Sequence, residues 1–302
     1  MSESRQNRAK IIEILSAVPL GLTATEVANK TSLPKRSIQR MLADLVKEKK
    51  IVRTGKGPST KYKSAALLPI PYQRDFLKRY NPSKQPFFTQ AESRALSLLG
   101  SKTANTIDLA TYSARIHERL IIDLSWSSSK FEGNTYSLLE TEKLLSENLT
   151  AQGKDHIETQ MILNHKEAIK FIISNHSEVE FNGFTVKNVH ALLSEELLKN
   201  PAAGGALRKI PVGIEGSRYI PLDVPQQIND EFEFILKKHA TIRDPFERAL
   251  FILIFIPYLQ PFEDLNKRTS RVCCNIPLIK SGLTPVSFVN IDTQEYIDAL
   301  KD

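Results

Sequence analysis

The sequence predicts a mostly helical protein, in which a small α+β module of three helices and a β-hairpin precedes an all-α helical bundle. Three observations lead to this prediction. The first 63 residues hold 14 Lys and Arg against 5 Asp and Glu, a net charge of +9, whereas the remainder has a net charge of −2. Apolar residues recur at helical spacing through most of the later segments. In the later segments only the stretch at 208–221 is typical of a β-hairpin.

The helices of the first module are indicated by periodicity and by capping residues. A first helix is predicted at 7–17 from the spacing of its isoleucines and leucine. Residues 23–26, Thr-Ala-Thr-Glu, have the form of a capping box, which predicts a second helix that continues to Lys30. After a tight turn, Pro34 is suited to begin a third helix at 35–45, because proline has no N–H for the first turn to leave unpaired.

Two strands are predicted after the third helix, at 51–54 and 61–63, on either side of a basic tip at 55–60. Two helices, a turn, a third helix and a β-wing in this order resemble a winged helix-turn-helix. That resemblance implies that the third helix enters the major groove of double-stranded DNA. The residues expected to face the DNA are Lys35, Arg36, Ser37, Gln39 and Arg40, with Lys56 at the tip of the wing. The residues expected to face the core are Ile38, Met41, Leu42 and Leu45.

The DNA sequence that this module would read stays open. Gln39 has the geometry to read adenine, and Arg36 or Arg40 to read guanine, but the sequence does not decide which of them touches a base. A solvated basic face and a protein-binding winged helix are the alternatives. The local charge of +9 and the basic wing tip favour DNA.

The chain is expected to consist of three parts: the first module at 1–65, a linker or wrap at 66–100, and the helical bundle at 101–302. A helical stretch is predicted at 72–80 within the linker. The helical segments of the bundle are predicted near 105–127, 135–148, 155–174, 185–199, 225–239, 245–258 and 267–281. Because residues 299–302 fall inside a predicted helix, we expect the chain to be truncated at its C-terminus.

A cluster of charged and polar residues occupies 260–271, directly after an apolar run at 249–259. Arg268 and Arg271 are three positions apart and therefore share one face of a helix. A polar loop that leads into a helix is a natural cradle for phosphate, since the first N–H groups and the helix dipole favour an anion. Asp264 could hold a metal that bridges phosphates.

This cluster resembles the signature of the Fic (Fido) family, His-Pro-Phe-x-Asp/Glu-Gly-Asn-Gly-Arg-x-x-Arg. The positions that match are Pro261, Phe262, Asp264, Asn266, Arg268 and Arg271. The resemblance implies that Asn266, Lys267, Arg268 and Arg271 bind the phosphates of ATP or another nucleotide, together with Mg²⁺ at Asp264. Three positions depart from the signature. Gln260 stands at the position of the catalytic His, and Leu265 and Lys267 replace two glycines.

Two further motifs resemble the same family, in the same order along the chain. Residues 128–134, Ser-Ser-Lys-Phe-Glu-Gly-Asn, match the inhibitory-helix motif, which predicts an inhibitory helix near 118–133. In the family the Glu of this motif, here Glu132, pairs with the last Arg of the signature, here Arg271, and blocks the place of the γ-phosphate. Ser128 lies one helical turn before Glu132. Residues 205–221 resemble the target-docking flap, with Val212, Gly213, Ile214, Gly216 and Tyr219 as the docking residues.

The departures predict what the site has lost. A neutral amide at Gln260 cannot take a proton near pH 7, and loss of a general base typically costs ~10²–10⁴ in rate. Leu265 is expected to bring its side chain into the phosphate space, whereas Lys267 could either clash there or supply a compensating charge. We therefore predict a pseudoenzyme: a DNA-binding transcription regulator whose Fic domain binds a nucleotide but transfers AMP poorly or not at all.

Two other hypotheses remain open. The first is an active adenylyltransferase that modifies a protein hydroxyl at the flap and is inhibited by Glu132. The second is an interaction protein whose bundle only brings the DNA-binding modules together as a homodimer.

Composition excludes several classes of protein. No run approaches 18 apolar residues, the first residues are polar, and the only two Cys, Cys273 and Cys274, are adjacent. We therefore expect a cytoplasmic protein with no membrane partner, and with both Cys in the core. The six His are scattered without the spacing of metal ligands, so no structural metal is expected. His190 is interpreted as a packing residue.

Overall fold

The computed structural model describes residues 3–18, 20–65, 68–101 and 109–299 of the 302-residue chain. The chain divides into two compact units, Met1–Ile70 and Pro71–Asp302, called here the N-terminal unit and the C-terminal unit. The predicted helix near 105–127 and the predicted truncation at 299–302 fall partly outside the described residues.

The N-terminal unit consists of three helices and a small antiparallel sheet. The helices are α1 (Glu3–Ser16), α2 (Ala24–Thr31) and α3 (Lys35–Lys47), and the strands are β1 (Leu22–Thr23), β2 (Ile51–Thr54) and β3 (Lys61–Ser64). The sheet order is β1-β3-β2, with Leu22 opposite Tyr62 and Val52 opposite Lys63. All three predicted helices and both predicted strands are confirmed, and β1 is an addition.

Local signals account for most of these boundaries. Thr23 caps α2, and the Thr23 hydroxyl and the Glu26 carboxylate exchange hydrogen bonds with each other's backbone N–H, as the capping box predicts. Pro34 is the N-cap residue of α3 rather than its first helical residue, which is Lys35. Gly21 has φ +76°, and a Cβ there would lie only 2.8 Å from the Tyr62 carbonyl oxygen. The close approach of β1 to β3 therefore requires a glycine at position 21.

The core of the N-terminal unit is formed by one face of each helix. Ile38, Met41, Leu42 and Leu45 of α3 are buried, as predicted from their spacing. They pack with buried residues of the other elements: Ile11, Leu15, Leu22, Val27, Ala28 and Ile51.

The C-terminal unit is almost entirely helical. Its helices are α4 (Arg74–Arg79), α5 (Gln90–Ser101), α6 (Leu109–Lys130), α7 (Leu138–Glu147), α8 (His156–Ser174), α9 (Gly183–Ser194), α10 (Pro225–Ala240), α11 (Pro245–Leu259), α12 (Asn266–Cys273), α13 (Asn275–Lys280) and α14 (Thr293–Ala299). Two short strands are β4 (Ile70–Pro71), where the two units divide, and β5 (Tyr219–Ile220). Helix α6 packs on α8, α8 on α9, and α11 on α12 and α13.

The predicted helical segments agree with these elements to within a few residues, with two differences. Helix α9 ends at Ser194 rather than near 199, and the segment at 267–281 is divided into α12 and α13 at Cys274. The starts of α7, α8 and α11 are fixed by the side chains of Ser137, Asp155 and Asp244, which accept hydrogen bonds from N–H groups of the first turn. Cys273 and Cys274 are both fully buried in the core, as expected.

The segment from Pro71 to Thr89 lies along the C-terminal unit, and two buried carboxylates hold it there. Glu231 accepts hydrogen bonds from the Tyr72 hydroxyl at 3.0 Å and from Arg74 Nε at 2.7 Å. Glu247 accepts from the Tyr80 hydroxyl and from the N–H of Phe87 at 2.8 Å. Both carboxylates are 3% exposed, so these contacts replace the water that the charges would otherwise need.

The predicted β-hairpin at 208–221 is wrong as a description of this flap. Within it only β5 is a strand, and the Tyr72 N–H, from the start of the C-terminal unit, donates to the Ile220 carbonyl at 2.9 Å. The two arms of the flap are joined instead by the buried Arg208 guanidinium, which donates to the carbonyls of Ile210, at 2.9 Å, and Leu222. A side chain thus links positions 210 and 222, where a hairpin would have paired backbone with backbone.

In the ranges that the structure describes, no helix combines the length and the apolarity that crossing a bilayer requires.

Candidate functional site: a phosphate-sized cavity at the start of helix α12

The loop between α11 and α12 is shaped by two residues with left-handed backbone. Gln260 ends α11 with φ 51° and ψ 60°, and Leu265 begins α12 with φ 58° and ψ 12°. Asn266 closes the loop between them. Its Oδ1 accepts from the Phe262 N–H at 2.9 Å, and its Nδ2 donates to the Phe262 carbonyl at 3.0 Å. The signature residues are therefore brought onto one short turn by their own hydrogen bonds.

The side chain of Gln260 is fully engaged within this turn. Its Nε2 donates to the Pro257 carbonyl at 2.8 Å, and its Oε1 accepts from Asn266 Nδ2 at 2.8 Å. The orientation of the amide follows from the network, because a carbonyl oxygen can only accept. Gln260 is 7% exposed. It therefore holds the loop in place and presents no basic atom for proton transfer.

Leu265 adopts the backbone conformation that a glycine would tolerate without strain. Its side chain belongs to the main hydrophobic core, and the residue is 3% exposed. It also lines a cavity of about 290 Å³, so Leu265 borders the expected phosphate space without filling it. The core accommodates the extra side chain, at the cost of a strained φ.

This cavity lies at the first turn of α12. It is lined by Glu132, Gly213, Ile214, Glu215, Gln260, Asp264, Leu265, Asn266, Lys267 and Arg268. The N-cap position is held by Leu265, whose side chain cannot accept a hydrogen bond from the N–H groups of that turn. Uncapped N–H groups and the positive end of the helix dipole therefore meet at the cavity, together with Lys267 and Arg268.

Arg268 is the most unusual cation of the cavity. The residue is 7% exposed, and its Nε is buried with no hydrogen-bond partner among the described residues. Its closest acidic neighbour is Asp264, at 3.8 Å from Nη2 to Oδ2, and the Asp264 side chain is 69% exposed. Burial lowers the pKa of Arg268, against the nearby charges of Glu132 and Asp264, but a guanidinium remains a cation. A buried, poorly paired cation is costly unless a ligand completes it.

Arg271 lies one turn further along α12 and is fully buried against α6. Its Nη2 donates to Glu132 Oε1 at 2.7 Å and to the Ser128 carbonyl at 3.1 Å, and its Nε donates to Ser128 Oγ at 2.8 Å. The predicted contact between Glu132 and Arg271 is therefore present, and Ser128 adds to it. Two aromatic rings, Phe131 and Tyr296, flank the guanidinium at 5.4 and 5.5 Å.

The ionisation of this pair is set by competing effects. Burial opposes the charge of the Glu132 carboxylate, but the charges of Arg271 and Arg268 outweigh it and lower the pKa of Glu132. Burial likewise opposes the charge of Arg271, whereas Tyr296 and Glu132 raise its pKa. The Glu132 side chain is 24% exposed at the edge of the cavity, so this ion pair is partly solvated and stands beside the space that a ligand would enter.

The flap forms one wall of the cavity. Gly213 and Ile214, two of the predicted docking residues, line it together with Glu215. Tyr219 lies behind the wall, where its hydroxyl donates to the Tyr258 carbonyl. The structure does not place Val212 and Gly216 against the cavity, although Gly216 makes the turn of the flap with φ 72°.

Two histidines that spacing alone did not mark contribute to the site. His190 stacks on Phe262 with ring centroids 3.8 Å apart, as expected of a packing residue. It also joins the loop to the start of the flap, because its Nε2 donates to the Asp264 carbonyl at 3.2 Å and its Nδ1 accepts from the Gly205 N–H at 2.9 Å. His165 of α8 contacts Ser128 at 2.8 Å. No motif in the sequence points to either contact.

The residues predicted to contact DNA belong to the N-terminal unit, whereas all residues that line this cavity belong to the C-terminal unit. Lys35, Arg36, Ser37, Gln39 and Arg40 are all exposed on α3, and Lys56 is exposed in the β2–β3 connection. Nothing buries them within their own unit, as a binding face requires.

Comparison with known proteins identifies part of the C-terminal unit. Residues 180–278 match the model of the Fic/DOC family. This part of the chain is similar to a Fic domain. The match contains the α11–α12 loop, the flap and α12, whereas Ser128 and Glu132 of α6 lie before it.

Curated relatives support the same domain. The chain is 29% identical over 192 residues to a protein adenylyltransferase Fic of Aedes aegypti, a match that covers 62% of this chain and 38% of that protein. It is 27% identical over 179 residues to a protein adenylyltransferase Fic of Nematostella vectensis, covering 58% and 41%. The chain thus spans about two fifths of the length of these relatives.

Solved structures share the fold of the Fic domain. Fic-1 of Caenorhabditis elegans, residues 134–508, aligns with a TM-score of 0.55 and 19% identity over 70% of this chain and 64% of that one. A Fic-domain signaling protein of Bacteroides thetaiotaomicron aligns with a TM-score of 0.57 and 17% identity, over 69% and 80%. At such identities the likeness concerns the fold.

Proposed function

We propose that the Fic domain of this chain binds a nucleotide, ATP or another, with its phosphates in the cavity at the start of α12. The observation that carries this proposal is the Arg268 guanidinium, which is buried at the cavity with its Nε unpaired among the described residues. A phosphate oxygen supplies the acceptor that this atom lacks. The uncapped first turn of α12 and Lys267 would hold the remaining phosphate charge.

The size of the cavity agrees with phosphates rather than with a whole nucleotide. At about 290 Å³ it lies at the lower end of the range for ligand pockets, roughly 300–1,000 Å³. The sugar and base would then lie outside it.

Mg²⁺ would be held by Asp264, together with the phosphates. Among the residues that the structure describes, no three His, Cys, Asp or Glu side chains come together to form a metal site. Magnesium does not need such a cage, because it is commonly bound by one or two carboxylates and the phosphates of its substrate. The Asp264 carboxylate lines the cavity and is largely exposed. Its Oδ1 accepts from the Leu265 N–H at 2.6 Å, so its Oδ2 is the oxygen that would bind a phosphate-bound ion. Such an ion would neutralise the charge that the phosphates carry.

We further propose that Glu132 keeps the site in a closed state. Its carboxylate takes the Nη2 of Arg271, the arginine that would otherwise be available to a terminal phosphate. A phosphate must therefore displace Glu132, or bind without Arg271. Removing Glu132 would make that arginine available.

AMP transfer to a protein hydroxyl would be slow at best. The attacking hydroxyl must lose its proton, and the position that faces this task holds Gln260, whose amide is already bonded to Pro257 and Asn266. The competing function is an active adenylyltransferase under inhibition by Glu132. It is favoured by the names of the curated relatives, which are called protein adenylyltransferases.

For the N-terminal unit we propose binding to double-stranded DNA, which would make the protein a transcription regulator. The support is the exposed, basic outer face of α3 together with the net charge of +9 on residues 1–63. If this unit does not bind DNA, the hypothesis of a homodimeric interaction protein is favoured instead.

Calorimetric titration of ATP with Mg²⁺ tests the nucleotide proposal. The proteins to compare are the unmodified chain, Glu132→Gly, and Glu132→Gly combined with Arg268→Ala. We expect Glu132→Gly to bind at least about tenfold more tightly than the unmodified chain, and the Arg268→Ala combination to lose binding. Arg243→Ala, an exposed arginine before α11, is the control for general loss of positive charge. Absence of binding to Glu132→Gly would overturn the proposal.

A further inference from the structure

His165 is a buried residue of α8 to which the proposed nucleotide site assigns no role. It is 0% exposed and lies against the end of α6 that carries Ser128. Its Nδ1 is 2.8 Å from the Met161 carbonyl oxygen, one turn earlier on α8, and its Nε2 is 2.8 Å from Ser128 Oγ. Both ring nitrogens therefore have partners.

These two partners decide which nitrogen carries the proton. A carbonyl oxygen can only accept, so Nδ1 must be the N–H that donates to Met161. With the opposite tautomer, two lone pairs would face each other across 2.8 Å. Nε2 is therefore an acceptor, and Ser128 must donate its hydroxyl hydrogen to it. Complete burial keeps the ring neutral, with its pKa lowered to about 3.

The direction of this hydrogen bond continues into Arg271. Because the Ser128 hydrogen points at His165, the lone pairs of Ser128 Oγ are available to Arg271 Nε, which donates to it at 2.8 Å. The same guanidinium then donates through Nη2 to Glu132. Each hydrogen bond along the path from Met161 through His165, Ser128 and Arg271 to Glu132 thus has one possible direction of donation. Reversing any of them would leave two donors or two acceptors facing each other.

A serine hydroxyl on its own would not hold Arg271 in this way. Its hydrogen rotates among staggered positions, and some of them would point a hydrogen at the Arg271 N–H. His165 removes that freedom by binding the hydrogen. The contact with Ser128 is fully buried, whereas the Glu132 side chain is 24% exposed and so reached by water. Ser128 therefore orients the Arg271 guanidinium through its Nε, where the contact is shielded from solvent.

We infer that His165 is a positioning residue of the closed state: it binds the Ser128 hydrogen, and Ser128 in turn keeps Arg271 beside Glu132 and away from an incoming phosphate. This inference rests on the proposed function, since Arg271 matters here as the arginine that a nucleotide would need. His165 itself touches neither the cavity nor the expected ligand.

The test is whether His165 controls Arg271 through Ser128. His165→Phe keeps an aromatic ring but removes the acceptor, and Ser128→Ala removes the link. We expect each substitution to tighten binding of ATP with Mg²⁺ about three- to tenfold, as loss of one neutral hydrogen bond implies. In the Ser128→Ala background, His165→Phe should add nothing further. A purely structural histidine would weaken binding or leave it unchanged, and its effect would add to that of Ser128→Ala.

The chain offers matched controls. Ser129 is also buried, and its Oγ lies 3.4 Å from His165 Nδ1, but it makes no hydrogen bond to Arg271 among the described residues. Ser129→Ala should therefore not tighten binding of ATP. His239 is a buried histidine on α10, so His239→Phe reports the effect of losing any buried imidazole. His165→Gln is the conservative variant, because an amide oxygen can replace Nε2 as acceptor. Its affinity for ATP should therefore lie between those of the unmodified protein and His165→Phe.

A second readout needs no nucleotide. The Nε–H of Arg271, assigned in ¹⁵N NMR spectra by its loss in Arg271→Lys, should exchange with water about three- to tenfold faster in His165→Phe and in Ser128→Ala. If no variant binds ATP, Glu132→Gly included, the proposed function fails, and this exchange rate still decides the role of His165. The inference is overturned if His165→Phe does not accelerate the exchange, whereas His165→Gln, which keeps an acceptor, should accelerate it less than His165→Phe.

Discussion

The Nη2 of Arg271 lies 2.7 Å from Oε1 of Glu132, although 139 positions separate the two residues. The contact joins the end of α6 to the second turn of α12 at the edge of the cavity. It gives one carboxylate two effects of opposite sign. Glu132 stabilises the folded protein by pairing a buried guanidinium, and it competes with any phosphate for that guanidinium.

Replacing Glu132 should therefore lower stability while it improves ligand binding. Glu132→Gln removes the charge and keeps the shape, and we expect the free energy of unfolding in urea to fall by about 1–2 kcal/mol. This is less than the 3–5 kcal/mol typical of a broken buried pair, because water reaches Glu132 and other partners hold Arg271. Addition of ATP with Mg²⁺ should then raise the melting temperature of the variant more than that of the unmodified protein. Glu118→Gln, at an exposed position of α6, is the control. Equal stability of Glu132→Gln and the unmodified protein would contradict the paired state.

The unmodified chain should transfer no detectable AMP. Incubation with ATP labelled in the α-phosphate should leave it unlabelled, even with Glu132→Gly, because Gln260 cannot act as a base. Gln260→His alone should give little, because Leu265 still lines the cavity and Glu132 still holds Arg271. Combined with Leu265→Gly, Lys267→Gly and Glu132→Gly, it should give measurable self-modification. Strong labelling of the unmodified protein would mean that another group serves as the base, and would favour the active adenylyltransferase.

Leu265 should respond to small substitutions in an unusual order. At most buried positions Gly is less stable than Ala, because it leaves more backbone entropy in the unfolded chain. Leu265 has φ 58°, where a Cβ costs roughly 1–2 kcal/mol and glycine escapes that cost. We expect both Leu265→Gly and Leu265→Ala to destabilise, with the Gly variant more stable by about 0.5–1 kcal/mol in urea unfolding. Leu278, buried in α13, is the control, at which Ala should be the better replacement. The same order at both sites would argue against the left-handed turn.

Acidification should destabilise the protein as the pH falls from about 6.5 toward 4. Burial lowers the pKa of His165 and His239 to about 3 and of His190 to about 4. In the unfolded chain these residues bind protons near pH 6.5. Below that pH the unfolded state binds more protons than the folded state, so stability is complete above pH 6.5 and is lost as the pH falls toward 4.

The slope of that loss identifies its source. Each of the three His contributes at most about 1.4 kcal/mol of unfolding free energy per pH unit. His239→Leu should reduce the slope by up to about 1.4 kcal/mol per pH unit, since the variant no longer has that proton to bind. His239 is chosen because its Nε2 has no hydrogen-bond partner among the described residues, so the substitution breaks no such bond. An unchanged slope would show that His239 is not neutral and buried.

DNA binding should depend on α3 more than on the wing. Residues of the outer face of α3 are exposed, and phosphate contacts release counterions, so the affinity for duplex DNA should fall steeply as salt rises. Arg36→Ala combined with Arg40→Ala should weaken specific binding more than Lys56→Ala, as measured by gel shift at several salt concentrations. Lys209→Ala, an exposed lysine of the other unit, is the control. No binding to genomic fragments at low salt, the upstream region of its own gene included, would refute the proposal.

Local sequence determined the elements of both units. The capping box of Thr23 and Glu26, the apolar face of α3 and the periodicity of the bundle helices depend on interactions within a few positions, and these are readable from residue types. The contact between Glu132 and Arg271 was also predictable, because two motifs that resemble one family each named one partner.

Only the tertiary structure decided which groups come into contact at positions that no sequence motif marks. Arg208 joins the two arms of the flap through carbonyls of Ile210 and Leu222, which replaced the predicted hairpin, and any residue type could have supplied those carbonyls. Leu265 packs in the core and also lines the cavity, from a left-handed backbone that its residue type does not predict. The partners of His165 depend on how α6 and α8 pack. Sequence fixes what each segment can donate, accept or bury, and packing between distant segments decides which of those capacities are used.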